Sequence, residues 1–282
     1  MDNLQETDLV AIRDETVEIA RAAGRLLQDY FDRPHTMELK SAATDLVTEA
    51  DRASEQLIVK RLQAAFPDHQ IVGEEGGSYA HDATEASALR WYIDPIDGTT
   101  NFAHRIPHFA ISMALNGLDG FPLVGVVHDP MRGECFAAAR AQGAMLNGQQ
   151  IKVSNTDMLA RSVIASGFPY DKWTDTRNNT SEWANFVVRT RGIRRMGSAA
   201  LDLAYVAAGR YDGYWEQKLS PWDFWAGLLL VQEAGGVVSD LKGRQDGLLS
   251  RGKVDMIASN SHLQTQMLAV IQQGPDAPLP AG

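Results

Sequence analysis

The sequence predicts an α/β fold made of two unlike halves, and two patterns indicate it. Residues 1–150 begin with long helical repeats and continue with short apolar segments separated by turns, as in helices packed on a largely antiparallel sheet. Residues 151–282 alternate short apolar segments with helical ones, as in an α/β arrangement. We therefore predict an α+β domain over residues 1–150 and an α/β domain over residues 151–282.

The first half opens with two amphipathic helices. Apolar side chains recur at intervals of three and four over residues 9–31 and again over residues 53–66, and a proline follows each stretch. The Asn147-Gly148 pair near the end of this half is a strong hairpin signal. Strands of this half are predicted at residues 69–73, 91–93, 109–116, 121–129 and 133–139.

The second half alternates strands and helices. Strands are predicted at residues 162–166, 193–196, 211–216, 237–240 and 256–258. Helices are predicted at residues 173–191, 198–208, 222–234 and 262–272. Residues 275–282 are rich in proline and alanine, and we predict that this tail is disordered.

The composition argues against several classes of protein. A formal charge of −10 argues against a surface that coats nucleic acid, so we expect no direct nucleic-acid binding. Cys135 is the only cysteine, which excludes an internal disulfide and a thiolate metal cluster. Residues 1–8 lack the features of a signal peptide, and no stretch approaches the roughly 18 apolar residues of a membrane span. We therefore expect a cytoplasmic protein without a membrane partner.

The functional prediction centres on a stretch in which a buried strand runs into a turn. That stretch reads Trp91-Tyr92-Ile93-Asp94-Pro95-Ile96-Asp97-Gly98-Thr99-Thr100-Asn101. Pro95 fixes its own φ and biases Asp94 towards extended backbone. The Asp94 and Asp97 carboxylates and the carbonyl of Ile96 can therefore point into one small volume.

The end of the same stretch is suited to an anion. Gly98 lets the backbone approach a ligand closely, and Thr99 or Thr100 can cap a following helix whose N–H groups stay free. Hard oxygen ligands for Mg²⁺ beside a phosphate-sized pocket favour metal-assisted phosphoryl chemistry.

Further acidic residues can complete this site. Glu74-Glu75 follows a predicted strand, and Asp223 lies in the first turn of an apolar helix. Residues that follow strands often converge at one sheet edge, where ligands bind. The alternatives are that Glu74 and Glu75 are solvated loop acids, and that Asp223 only caps its helix. The Asp94/Asp97 pair could likewise be a plain turn. Crowded carboxylates repel one another unless a cation neutralises them, so convergence and metal binding depend on each other.

Three motifs occur together in the chain. They are Gly73-Glu74-Glu75, then Asp94-Pro95-Ile96-Asp97-Gly98-Thr99-Thr100-Asn101-Phe102, then Trp222-Asp223 followed by Glu233-Ala234-Gly235-Gly236. In this order and spacing they resemble the inositol monophosphatase family of lithium-sensitive, magnesium-dependent phosphomonoesterases. The resemblance extends from the first helix to about residue 260, and the segment that begins Arg194-Arg195-Met196-Gly197-Ser198 is most similar to the bacterial branch. It implies a layered α/β/α/β/α sandwich and, commonly, a homodimer.

The resemblance also implies a role for each matching residue. Mg²⁺ ions would be held by Glu74, Asp94, the Ile96 carbonyl, Asp97 and Asp223. Glu74 would also act in catalysis, and Thr99, paired with Asp51, would orient and deprotonate the metal-activated water. The N–H groups of Gly98 and Thr99 would bind the phosphate. Glu216 and Lys40 match positions that contact or lie near the substrate, although Lys40 could simply be solvated.

The substrate implied is a small phosphorylated polyol, first of all an inositol monophosphate. Histidinol phosphate, fructose 1,6-bisphosphate, NADP and 3′-phosphoadenosine 5′-phosphate are the alternatives, since the metal ligands read only the phosphate. A second hypothesis is a non-enzymatic partner in a bacterial transcription complex. The basic cluster Arg191, Arg194 and Arg195 is the candidate contact, with a dimer interface or a solvated patch as its alternative.

Overall fold

The computed structural model describes residues 6–33, 37–39, 46–79, 89–249 and 252–279. Its α-helices are α1 Glu6–Phe31, α2 Glu49–Ala65, α3 Thr99–Ala103, α4 Thr180–Val187, α5 Ala199–Ala207, α6 Pro221–Glu233 and α7 Gln264–Gln273. Its strands are β1 Met37–Leu39, β2 Leu46–Thr48, β3 Gln70–Gly73, β4 Gly77–Tyr79, β5 Arg90–Asp97, β6 Ala110–Asn116, β7 Pro122–Asp129, β8 Glu134–Ala139, β9 Ala144–Leu146, β10 Gln149–Gln150, β11 Val163–Ser166, β12 Gly192–Arg194, β13 Gly213–Leu219, β14 Val237–Asp240 and β15 Val254–Ser259.

Two large sheets carry the fold. The eight-stranded sheet has the order β10-β9-β8-β7-β6-β5-β3-β4, and every pair in it is antiparallel except β3 with β5. The five-stranded sheet has the order β12-β11-β13-β15-β14, in which β11 runs parallel to both neighbours and β15 antiparallel to both. The chain changes sheet between residues 150 and 163. The division into two domains at residue 150 stays a prediction.

Helices and sheets alternate in five layers. Helices α1 and α2 cover one face of the eight-stranded sheet, α5 and α6 lie between the two sheets, and α4 and α7 cover the outer face of the five-stranded sheet. Helix α6 is apolar around most of its circumference because sheets cover it on both sides. The predicted α/β/α/β/α sandwich is confirmed.

Three sequence predictions about local structure were wrong. Helix α2 begins at Glu49 rather than at residue 53, because Asp51 Oδ2 accepts hydrogen bonds from the N–H and hydroxyl of Thr48 at 2.8 and 2.6 Å. Within the predicted helix at 173–191, only Thr180–Val187 is α-helical. The tail is ordered as far as residue 279, the last described, because the Arg189 guanidinium donates hydrogen bonds to three of its carbonyls. In the described part of the chain, no helix is long and apolar enough to cross a membrane.

Candidate active site

The predicted turn forms at the end of β5, at an irregularity in its pairing with β6. The register shifts between Asp94 and Asp97, where Pro95 has no N–H to donate to the ladder. The N–H of Ile96 instead donates to Asp94 Oδ1 at 2.9 Å. Gly98 then adopts a φ of 107°, where a Cβ atom would lie 3.1 Å from the carbonyl oxygen of Gly197. A side chain at residue 98 would therefore be strained, and the backbone can turn into α3 only because this residue is glycine.

Strand pairing brings Glu74 and Asp94 side by side. Gly73 pairs with Ile93 between the parallel strands β3 and β5, so the next residue of each strand is Glu74 and Asp94, and the Glu74 N–H donates to the Ile93 carbonyl at 3.2 Å. Glu74 thus follows the end of β3, whereas Asp94 lies within β5 and not after it as predicted, and the parallel pairing still places the two acids side by side.

Helices α5 and α6 bring the second half of the chain to the same place. The Ser198 hydroxyl and the Ala200 N–H, at the start of α5, both donate to Asp97 Oδ2 at 2.6 Å. On β6, the Ser112 hydroxyl donates to the Trp222 carbonyl at 2.9 Å, which fixes the first turn of α6 against the strand that pairs with Asp94. The Ser220 N–H donates to Asp223 Oδ2 at 2.7 Å. Asp223 is therefore a helix cap, and its position also brings it to the other acids.

The pKa values of three acids at this site are raised by burial and by the charges of neighbouring acids. Burial raises the pKa of Asp94 well above its ordinary value, and the charges of Glu74, Asp97 and Asp223 raise it further. Burial raises the pKa of Asp97 to about 6, although the hydrogen bonds from α5 act in the opposite direction. Burial and then the charges of Glu74 and Asp97 raise the pKa of Asp223. We call Glu74, Asp94, Asp97 and Asp223 the carboxylate cluster.

The donor set of the carboxylate cluster fits a hard divalent cation. Within the described residues no three His, Cys, Asp or Glu side chains already stand in the arrangement of a metal site. The charges of Glu74, Asp97 and Asp223 nevertheless all act on Asp94. Carboxylate oxygens and a nearby carbonyl are the ligands that Mg²⁺ prefers, and a cation would neutralise the repulsion among these acids.

Asp51 and Thr99 form the predicted pair. Asp51 is fully buried in the first turn of α2, where Thr48 holds its Oδ2. The Thr99 hydroxyl lies 3.1 Å from Asp51 Oδ1 and 3.0 Å from the carbonyl oxygen of Ile96. The hydroxyl can therefore donate its hydrogen to Asp51 and still accept one from a ligand.

A cleft of about 420 Å³ opens beside the turn. Its lining includes Asp97, Gly98, Thr99, Glu216 and Asp223, so both halves of the chain contribute to it. Predicted residues Asp51, Glu74 and Asp94 do not line the cleft and lie behind that lining. Lys40 lies outside the described residues. The exposed Arg195 also lines the cleft, while Arg191 and Arg194 are exposed at the edge strand β12 and do not line it.

Glu216 lies at the cleft end of β13, in a tightly packed setting. The Tyr214 hydroxyl donates to Glu216 Oε2 at 2.5 Å. Burial raises the pKa of Glu216 to about 7, while the hydrogen bond from Tyr214 and the charge of Arg195 oppose that rise. A Cβ atom on Gly167 would come within 2.1 Å of the Glu216 carboxylate. Glycine at residue 167 is thus a requirement of this site that the sequence reasoning missed.

A second missed residue is Glu55, which positions the Glu74 loop. Glu55 is buried, and its Oε2 accepts a hydrogen bond from the Glu75 N–H at 2.9 Å. A signal was present in the sequence, since Asp51 and Glu55 lie on the same helical face as the buried Ile58 and Leu62. Acids on the apolar face of a helix predict a buried polar site.

A third missed feature is the loop between β11 and α4, which lies over the cleft. Tyr170 and Lys172 line the cleft, and Tyr170 stays 47% exposed to solvent. Lys218 ties this loop to β13, because its Nζ donates to both Asp171 and Asp175 at 2.7 Å. Lys218 has a φ of 60°, at the point where β13 loses register with β15.

Comparisons with known proteins agree with this geometry. Residues 8–275 match the model of the inositol monophosphatase family. The chain is 46% identical over 256 residues to Nus factor SuhB of Pseudomonas aeruginosa, covering 90% of this chain and 93% of the relative. It is 42% identical over 233 residues to an inositol-1-monophosphatase of Synechocystis, covering 83% and 80%. The structure of an inositol monophosphatase from Anabaena superposes with a TM-score of 0.83 at 38% identity, covering 95% of this chain and 98% of the other. The chain therefore belongs to the inositol monophosphatase family and is a phosphomonoesterase.

Proposed function

We propose that this phosphomonoesterase depends on Mg²⁺, is inhibited by Li⁺, and hydrolyses inositol monophosphates and similar small polyol phosphates. The observation that carries the proposal is the carboxylate cluster next to the Thr99–Asp51 pair, at the edge of a cleft whose lining includes the half-buried acid Glu216. The related chain from Synechocystis, which is named an inositol-1-monophosphatase, supports the choice of substrate.

Glu74, Asp94, Asp97, Asp223 and the Ile96 carbonyl would hold the Mg²⁺ ions. When bound, the metal supplies positive charge that acidifies the attacking water and stabilises the leaving oxygen. Because the four carboxylates crowd one another without a cation, their repulsion favours binding of that charge.

The residues of the chain itself orient the water and move its proton. The Thr99 hydroxyl accepts a proton from the attacking water as it passes its own proton to Asp51 Oδ1, 3.1 Å away. The water oxygen forms the new bond to phosphorus, the bond from phosphorus to the alcohol oxygen breaks, and the released alkoxide takes up a proton from solvent to leave as the alcohol. The N–H groups of Gly98 and Thr99 would hold the phosphate, and Glu216 would bind hydroxyls of the polyol.

The same residues leave the alternative substrates open to test. Histidinol phosphate, fructose 1,6-bisphosphate, NADP and 3′-phosphoadenosine 5′-phosphate share the phosphate and differ only in the group that reaches Glu216. A carboxyl group binds hydroxyl donors well, which favours a polyol over an imidazole.

A phosphate-release screen tests the proposal directly. The purified chain is assayed on these phosphomonoesters with Mg²⁺, with EDTA and with Mg²⁺ plus Li⁺. We expect the fastest turnover on an inositol monophosphate, none in EDTA, and inhibition by Li⁺. Equal turnover in EDTA would exclude the metal-dependent mechanism, and preference for another ester would replace the substrate.

A second candidate function is membership of a transcription complex, because the most similar relative named above is a Nus factor. The exposed basic cluster of Arg191, Arg194 and Arg195, at and beside β12, is the proposed contact. A cytoplasmic homodimer is the proposed state of the protein, and its mass in solution by light scattering tests the dimer. A catalytically inactive variant that keeps the cellular phenotype of the wild type would favour the binding role over the enzymatic one.

A further inference from the structure

Asp202 is a buried acid beside the cleft that the proposed mechanism does not use. It lies on α5, only 1% of its surface is exposed, and it contributes to the cleft lining together with Glu216. Its Oδ1 is buried with no hydrogen-bond partner among the described residues. An unpaired buried carboxyl costs free energy of folding, so a function is expected to compensate for it.

Other buried aspartates of the described chain are satisfied. Asp212 accepts hydrogen bonds from the Ser154 hydroxyl at 2.6 Å and from the Val163 N–H at 2.7 Å. Asp129 accepts two backbone N–H groups and the Arg132 guanidinium. Asp202 is therefore as buried as these two aspartates, but its Oδ1 atom has no hydrogen-bond donor among the described residues.

The surroundings of Asp202 favour a neutral partner over a cation. Burial, followed by the charge of Glu216, raises the pKa of Asp202 well above its ordinary value and so favours the protonated form of its carboxyl group. The charge of Arg195 opposes this rise, although Asp202 Oδ1 accepts no hydrogen bond from it within the described residues. A protonated carboxyl group both donates and accepts, as does a hydroxyl group.

We propose that Asp202 is a substrate-binding residue which, together with Glu216, binds neighbouring hydroxyls of the polyol part of the substrate. We call these two residues the polyol end of the cleft. This inference rests on the proposed phosphatase function and adds to it a second residue that recognises the hydroxyls of the alcohol part. A hydroxyl of the polyol satisfies the Oδ1 atom that has no partner among the described residues.

Two esters and two substitutions test the proposal. Asp202→Leu removes the hydrogen-bonding atoms at similar size, and Asp202→Asn keeps a group that donates and accepts. For Asp202→Leu we expect the KM for myo-inositol 1-phosphate to rise about tenfold or more. Turnover of phenyl phosphate by Asp202→Leu should stay within about twofold of the wild-type rate, because the phenyl part of this ester carries no hydroxyl group. Asp202→Asn should retain most of the wild-type KM.

The melting temperature of the same variant should not fall, although its binding of the polyol phosphate weakens. Asp202→Leu should melt at or above the wild-type temperature, because it removes an unpaired buried polar group, whereas the matched control Asp212→Leu should melt lower. If Asp202→Leu does not fold, Asp202→Ala provides the same kinetic comparison. Equal losses on both esters, or no change on either, would overturn the role of Asp202.

The outcome also separates this inference from the proposed function. If wild type hydrolyses neither ester in Mg²⁺, the proposed function fails, and the readout becomes the shift in melting temperature that free myo-inositol causes. Loss of that shift in Asp202→Leu would support hydroxyl binding, and an unchanged shift or no shift in wild type would refute it.

Discussion

The carboxylate cluster and the polyol end of the cleft both consist of buried and half-buried acids, but the chain holds them differently. In the cluster, Asp94, Asp97 and Asp223 each accept hydrogen bonds from backbone N–H groups, which fixes one oxygen of each. At the polyol end, Glu216 accepts a side-chain hydroxyl and Asp202 Oδ1 has no partner in the described structure. Backbone donors give the cluster a rigid geometry suited to a metal, and the unpaired oxygen at the polyol end is suited to binding an alcohol.

The largest expected effect distinguishes the cluster from everything else in the cleft. Asp94→Asn should lower kcat by roughly 10³-fold on every ester, because it removes a charge that all substrates need. In EDTA the same variant should melt at or above the wild-type temperature, since it relieves repulsion among the four acids of the cluster. A variant that retains activity, measured by phosphate release, would remove Asp94 from the metal site.

The next effect concerns pH and the polyol end. The pKa of Glu216 in the fold is about 7 against an ordinary value of 4.5, so the folded protein binds its proton more tightly than the unfolded chain. The contribution of this proton to the free energy of unfolding is complete below pH 4.5 and is lost as the pH rises through 7. Relative to Glu216→Gln, wild type in EDTA should therefore lose up to about 3 kcal/mol between these values. Urea unfolding of both proteins across this pH range measures the loss. A difference in their free energies of unfolding that does not change with pH would contradict the prediction.

A smaller effect tests the packing between Gly167 and Glu216. Gly167→Ala should displace the Glu216 carboxylate, because the new Cβ atom would lie 2.1 Å from its oxygen. We expect kcat/KM for a polyol phosphate to fall about tenfold while phenyl phosphate is little affected. Gly192→Ala is the matched control, since its Cβ meets only the mobile end of the Arg194 side chain at 3.2 Å. Equal losses in both variants would mean that Gly167 acts on stability alone.

The smallest effect concerns the loop that Lys218 holds over the cleft. Lys218→Asn keeps a residue that tolerates positive φ but removes the ion pairs to Asp171 and Asp175. Both aspartates are about half exposed, so each ion pair is weak, and we expect KM to rise roughly threefold with kcat unchanged. Raising the salt concentration should reduce the difference between wild type and variant. A kcat loss as large as that of Asp94→Asn would instead place the loop in the chemistry.

The sequence predicted most where the determining contacts are local. The turn from Asp94 to Thr99 forms as expected because a proline, a glycine and the first turn of a helix set its backbone within a few residues. The apolar periodicity predicted α1 and α6 well for the same reason, since helical periodicity needs no knowledge of the partner surface.

Distant contacts explain what the sequence reasoning missed. Glu55 and Gly167 carry no local motif, and each matters only because a loop or strand from elsewhere packs against it. The ordered tail was missed in the same way, because its hydrogen-bond donor, Arg189, lies some 90 residues away.

The sequence by itself determined the residue types, the local turn and the likeness to a family of phosphatases. Only the tertiary structure decided which acids share a charge environment and which of them have hydrogen-bond donors, and it showed that Asp202 Oδ1 has none among the described residues. The physical reason is that burial and repulsion depend on what surrounds a side chain in space. For the carboxylate cluster and the polyol end, those surroundings come from β3, β5, β13, α5 and α6, which the chain order alone does not bring together.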